Sequence, residues 1–227
     1  MHPDQNLDQI EDTTVGGASI RVVRLPAGFW HDDILDVLTD VERQRFHEIV
    51  PRARAEAFAR GRWHLRHLIA ERAGILPAEV TITAPCARCG GQHGRPVITL
   101  PDGSERWGAS ISHAAGYLVV AASPDATIGV DAESHSAAEA RRAAILALTS
   151  ASPGDDARQL AQHWTRSEAV LKADGRGLHV ELEDIEFRAR RGRLSARLGD
   201  ADFGLFDYSP TLDDTIAISL AVGLPRR

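Results

Sequence analysis

The chain has 227 residues, 43% hydrophobic and 26% charged, an ordinary balance for a globular protein built as one large domain or two intimately packed halves. No apolar run approaches the roughly 20 residues of a membrane-spanning helix, so no membrane partner is expected. A net charge of −6 argues against general affinity for nucleic acid, and two cysteines make no disulfide framework, which fits a reducing cytoplasm.

Residues 1–17 mix acids and amides without a basic region followed by an apolar one, so they read as a flexible N-terminal tail and not a secretory signal. The alternation in "ASIRVVRLP" predicts a first strand, and "DDILDVLTDVERQRFHEIV" has helical spacing up to Pro51. A second helix, "RAEAFARGRWHLRHLIAERAGI", repeats apolar residues at Phe58, Leu65, Leu68 and Ile69 and closes at Gly74. Eight arginines between Arg43 and Arg72 read as a solvated helix face or a surface for an anionic ligand. "AEVTITAPC" and "VITLP" predict short strands around the turn-rich "ARCGGQHGRP". In "CARCGGQH", Cys86, Cys89 and His93 begin like a zinc motif, but no second pair follows nearby, so the segment reads as a turn with free thiols.

"ISHAAG" reads as a turn at the mouth of a strand from Tyr117 to Ala122, and a Ser-Pro-Asp turn leads to a strand from Thr127 to Asp131. "AAEARRAAILALT" and "DARQLAQHWTRSEAVLKADG" are helical, the second ending at Gly175, and three further strands complete the chain. "HAAGYLVVAAS" and "TLDDTIAISLAVG" echo each other, each a turn before an apolar strand of small residues, which hints at two related α+β units.

The chemistry concentrates late in the chain. In "TIGVDAE" two acids one residue apart, Asp131 and Glu133, face the same way on a strand, and paired anions suit an oxygen-liganded cation such as Mg²⁺. Glu168 and Lys172 share a helical face, and Lys172 is the sole lysine beside 25 arginines. A compact ammonium reaches a point charge that a planar guanidinium does not. Ser112 and His113 offer a hydroxyl and an imidazole suited to phosphate.

Five ordered blocks, the arginine-rich helix with "GRWHLR", "CARCGGQHGRP", "ISHAAGYLVVAAS", "IGVDAE" and "WTRSEAVLKADGRGL", resemble the Sfp-type 4′-phosphopantetheinyl transferases from about residue 52 to Leu178. The family pattern W-x-x-K-E-A-x-x-K with a following G-x-G is kept at Trp164, Glu168, Ala169, Lys172, Gly175 and Gly177, with Ser167 in place of the first lysine. Ser110 stands where the family has asparagine. The resemblance implies an α+β fold of two similar halves packed as a pseudo-dimer in one chain, 18–125 and 126–227, with the metal and catalytic residues in the second. It implies that the enzyme transfers the phosphopantetheine arm of coenzyme A to a serine of an apo acyl- or peptidyl-carrier protein, leaving adenosine 3′,5′-bisphosphate, and works as a monomer. Asp131, Glu133 and Glu168 would hold Mg²⁺, with Glu168 the base. Lys172, Ser112, His113 and Arg95 would contact the phosphates of coenzyme A, and Arg54 or Arg52 its 3′-phosphate. The rivals are another Mg²⁺-dependent phosphodiesterase or nuclease using the same acids, and a zinc-folded RNA-binding module, which the net acidity opposes.

Overall fold

The computed structural model describes residues 8–25, 32–86, 88–176 and 180–225. Gly177 and Leu178 of the family-like motif lie outside them. The described chain opens with a hairpin, β1 (Gln9–Val15) antiparallel to β2 (Ala18–Arg24), turned by Gly16 and Gly17 at φ of 58° and 85°. This corrects the flexible tail over residues 9–15. Two glycines between β-rich runs supply the left-handed pair that a two-residue hairpin turn demands.

The helix expected from Asp32 is shorter. After a 3-10 turn at Asp32–Ile34, Thr39 caps α1 (Asp40–Glu48), its hydroxyl accepting from the Glu42 N–H while the Glu42 carboxylate accepts from the Thr39 N–H. Helix α2 (Arg52–Ala73) ends at Gly74, as its pattern predicts. β3 (Thr81–Thr83) and β4 (Val97–Thr99) form a separate pair. "ISHAAG", read as a turn, is mostly strand: β5 (Trp107–Ala114) runs through its first four residues and turns at Ala115 and Gly116 into β6 (Tyr117–Pro124). Alanine and serine carry no apolar alternation, so the period-2 signal was missing. After β7 (Ile128–Ser134), the predicted helix splits at Arg141 into α3 (His135–Ala140) and α4 (Arg142–Leu148). The long helix α5 (Ala157–Asp174) precedes β8 (Glu186–Arg190), β9 (Arg193–Leu198), β10 (Ala201–Tyr208) and β11 (Ile216–Gly223).

The architecture is α+β. One sheet has the order β1-β2-β6-β5 and the other β7-β11-β10-β9-β8. They pack face to face, with Ile20, Val22, Val119 and Ala121 of the first against Ile128, Val130, Ile218 and Leu220 of the second. Helix α2 covers the outer face of the first sheet through Leu65, Leu68 and Ile69, each fully buried and each contributing about 1.5–3 kcal/mol. Helix α5 covers the second through Ala169, Val170 and Ala173.

Both sheets follow one path. β2-α2-β5-β6 and β7-α5-β10-β11 are each strand, helix and two strands, with the last strand beside the first. The echoing segments of the sequence form β6 and β11, equivalent strands on this path. Each unit also ties its first strand to the end of its helix with an ion pair. Arg21 of β2, opposite the fourth residue of β6, donates to Glu71 at 2.7 Å and to Asp12 of β1 at 2.7 Å. Asp131 of β7, opposite the fourth residue of β11, accepts from Lys172 at 2.7 Å. Glu71 and Lys172 each precede their helix-ending glycine by three residues.

Candidate active site

Helix α5 starts on a capping box of Asp156 and Gln159 and stops at Gly175, in the left-handed conformation. It crosses β7 at Gly129, where a Cβ would lie 2.1 Å from the Ala169 carbonyl oxygen and 2.9 Å from the Lys172 Cβ. Only a glycine admits the helix this closely. The period of two then puts Asp131 and Glu133 on the same face as Gly129, toward the helix, while Ile128, Val130 and Ala132 point into the core between the sheets.

The Lys172 ammonium sits where β5 meets β7. It donates to Asp131 Oδ1 at 2.7 Å, to the Val130 carbonyl at 3.0 Å and to the Ile111 carbonyl at 3.4 Å. Three donors on one compact group match three acceptors, a geometry that a planar guanidinium does not offer. The side chain remains 31% exposed.

Ser112, expected among the phosphate contacts, is instead buried and fully engaged. Its hydroxyl donates to Asp131 Oδ1 at 2.8 Å and accepts from the Ala132 N–H at 3.2 Å, so its one proton already holds the carboxylate. Ser110 likewise accepts from the Val130 N–H at 2.9 Å. These two hydroxyls stitch the edge of one sheet to the edge of the other, a role that spacing in the sequence does not reveal.

Glu133 pairs with Arg141, whose guanidinium lies 4.9 Å from the centre of the Trp164 ring. Arg141, at the break between α3 and α4, was not singled out from the sequence. Its signal is only a double arginine inside an Ala-rich helix. Glu168, one helical turn before Lys172, is half-buried. Burial first, then the Asp131 charge, push its carboxyl above the usual range against the pull of Lys172 and Arg141. The structure thus gathers Asp131, Glu133, Glu168 and Lys172 where α5 crosses β7, with a protein cation already on each strand acid.

Arg95 and His113 reach this region from the first sheet's side. Arg95 donates to the Ala173 carbonyl at 3.2 Å, beside Gly175. Burial lowers its pKa while Asp174 raises it. His113 Nε2 donates to the Ala57 carbonyl of α2 at 3.1 Å. Arg54, exposed, lies three residues before Ala57 on that helix, whereas Arg52 pairs with Glu56 at 2.9 Å.

Asp131, Glu133 and Glu168 bring no sulfur or imidazole and offer oxygen donors alone. Oxygen donors are the type that a cation of the magnesium class takes, but among the described residues these three carboxylates do not form a converged group of metal-ligating atoms as Cys86, Cys89 and His93 do. A family model described as ACPS, 4′-phosphopantetheinyl transferase superfamily, matches residues 127–220, from the approach to β7 through α5 into β11. No curated protein matches the chain.

Proposed function

From the match of residues 127–220 to the 4′-phosphopantetheinyl transferase superfamily, we propose that this protein moves the phosphopantetheine arm of coenzyme A onto a serine of an apo acyl- or peptidyl-carrier protein. The observation that carries the reading is the meeting of Glu168 and Lys172 of α5 with Asp131 of β7, all inside the matched segment.

The serine oxygen forms the new phosphodiester bond, a pyrophosphate P–O bond breaks, and adenosine 3′,5′-bisphosphate leaves with the electron pair. Glu168, whose proton affinity burial and Asp131 raise, takes the serine proton directly or through water. Asp131, Glu133 and Glu168 would hold Mg²⁺, which would supply Lewis-acid stabilisation of charge on the phosphate oxygens. Lys172, on the exposed side of its ammonium, and Arg95 face the phosphates with their charge fixed in place before reaction, and His113, whose pKa burial lowers, lies beside them as an imidazole without a standing charge. Arg54, on the helix face that His113 touches, takes the 3′-phosphate in preference to Arg52, which Glu56 already holds. The working unit is a cytoplasmic monomer.

Intact-mass spectrometry of an apo carrier domain incubated with this protein, coenzyme A and Mg²⁺ tests the reading. The expected result is a gain of one phosphopantetheine arm that disappears without metal. No gain on carriers from fatty acid, polyketide and peptide assembly overturns it.

A further inference from the structure

The transfer chemistry leaves the segment between β3 and β4 unexplained. Cys86, Cys89 and His93 stand there with their ligand atoms all within 4.8 Å of one another. Both cysteines are free, and Cys89 Sγ lies 2.9 Å from His93 Nε2. The backbone is folded around this trio. The Cys86 N–H donates to the Gly91 carbonyl at 2.8 Å, the Gly90 N–H to the Cys86 carbonyl at 2.8 Å, and the Gly94 N–H to the Ala84 carbonyl at 2.7 Å. The Gly91 N–H points at Cys89 Sγ at 3.4 Å. A Cβ on Gly91 would lie 3.2 Å from the His93 ring and 3.3 Å from Cys89 Sγ, so the backbone runs directly beneath the two ligands.

Yet nothing apolar holds this loop. Among the described residues from Pro85 to Val97 none is buried, and its flanking strands have three residues each. A segment without a core of its own needs another source of order, and a metal cross-link supplies one.

We propose that Cys86, Cys89 and His93 bind one Zn²⁺ through two thiolates and the imidazole Nε2, with water in the fourth, solvent-facing position. Binding displaces the two thiol protons to solvent. Tetrahedral zinc with bonds of about 2.3 Å to sulfur and about 2.0 Å to nitrogen has an S···N edge of about 3.5 Å. The Cys89–His93 contact therefore opens slightly as the ion enters. With one position open to water, the ion is exchangeable, and a strong chelator removes it. The role is structural: two residues after His93 the chain reaches Arg95, whose guanidinium spans to the Ala173 carbonyl at the end of α5. Zinc fixes the loop from which Arg95 reaches the candidate site. Only that last link rests on the function proposed above.

The test uses the full chain, incubated with Zn²⁺ and desalted, with metal content read by mass spectrometry. One zinc per chain is expected in the parent, and its loss in Cys89→Ser and in His93→Ala. Replacement by Co²⁺ should give the intense bands of tetrahedral, thiolate-ligated cobalt. A chelator should lower the thermal midpoint of the parent and leave that of Cys89→Ser unmoved. Substoichiometric zinc in the parent, a pale octahedral cobalt spectrum, or zinc retained in both variants overturns the site. If zinc binds but Cys89→Ser leaves the KM for coenzyme A unchanged, the link to Arg95 falls and the metal site stands. These metal readings hold whether or not the protein modifies carrier domains.

Discussion

Lys172 occupies a place where three acceptors converge on one point, so its replacement by arginine is a test of shape and not of charge. Lys172→Arg should lose transfer activity by at least about tenfold, on the order of 1.4 kcal/mol in the barrier, measured as kcat/KM. An unchanged rate would separate the lysine from the chemistry. Glu168→Gln keeps the size of the side chain but removes the proton acceptor, and transfer should be abolished while the far-ultraviolet circular dichroism stays that of the parent. At this scale the sequence is legible where periodicity decides direction: Asp131 and Glu133 had to share a face, and Glu168 and Lys172 had to lie a turn apart. It is silent where the partner comes from another sheet. Nothing in "ISHAAG" says that the Ser112 hydroxyl is spent on Asp131, and nothing in "EARRAA" says that Arg141 reaches Glu133.

Among the elements, α1 is joined to α2 through one carboxylate. Glu42 closes the cap of α1 and accepts from Arg66 of α2 at 2.6 and 3.2 Å, in a buried pair. Arg62 stands 3.6 Å from the same carboxylate. Burial pushes its pKa down to about 10, with Glu42 pulling upward and Arg66 and Arg45 adding to the fall, and its Nη1 has no partner among the described residues. The two arginines should therefore differ sharply. Arg66→Met strands a buried anion and should cost about 3–5 kcal/mol in urea unfolding, whereas Arg62→Met should leave stability equal or higher. Equal losses would refute the distinction. Just ahead of β1, Asp8 pairs with Arg60 at 2.7 Å and with His64 Nε2 at 3.1 Å. Burial lowers the His64 pKa against the pull of Asp8. Burial raises that of Asp8, but the His64 hydrogen bond and the Arg60 charge outweigh it and the net shift is downward. Both groups bind protons more readily in the unfolded chain, so both contributions to stability fall with pH. The His64 share begins to go below about pH 6.5, the Asp8 share below about pH 3.9. His64→Leu should flatten the upper part of this loss, seen by comparing unfolding midpoints at neutral and mildly acid pH. An undiminished slope would assign the loss elsewhere.

The whole molecule depends on a seam between two sheet edges, held by side chains where a ladder would ordinarily run. Ser110→Ala leaves the buried Val130 N–H without its acceptor and should cost about 1–3 kcal/mol, read from the urea midpoint. No loss would mean that the Ser110 hydroxyl does not hold the seam. The helices and the long apolar strands were legible because each buries a face with its own period. β1 and β5 were not, since one lies in a polar stretch before a Gly-Gly turn and the other is built on alanines and serines that only the facing sheet makes strand-like. The strand-to-helix ties of the two units suggest a history. Arg21 with Glu71 and Asp131 with Lys172 occupy equivalent places with their charges exchanged. A duplicated unit would inherit such a tie twice. The Arg21 copy is shared with Asp12 of β1, whereas the Asp131 copy lies in the segment proposed above to carry the chemistry, its Lys172 side chain 31% exposed.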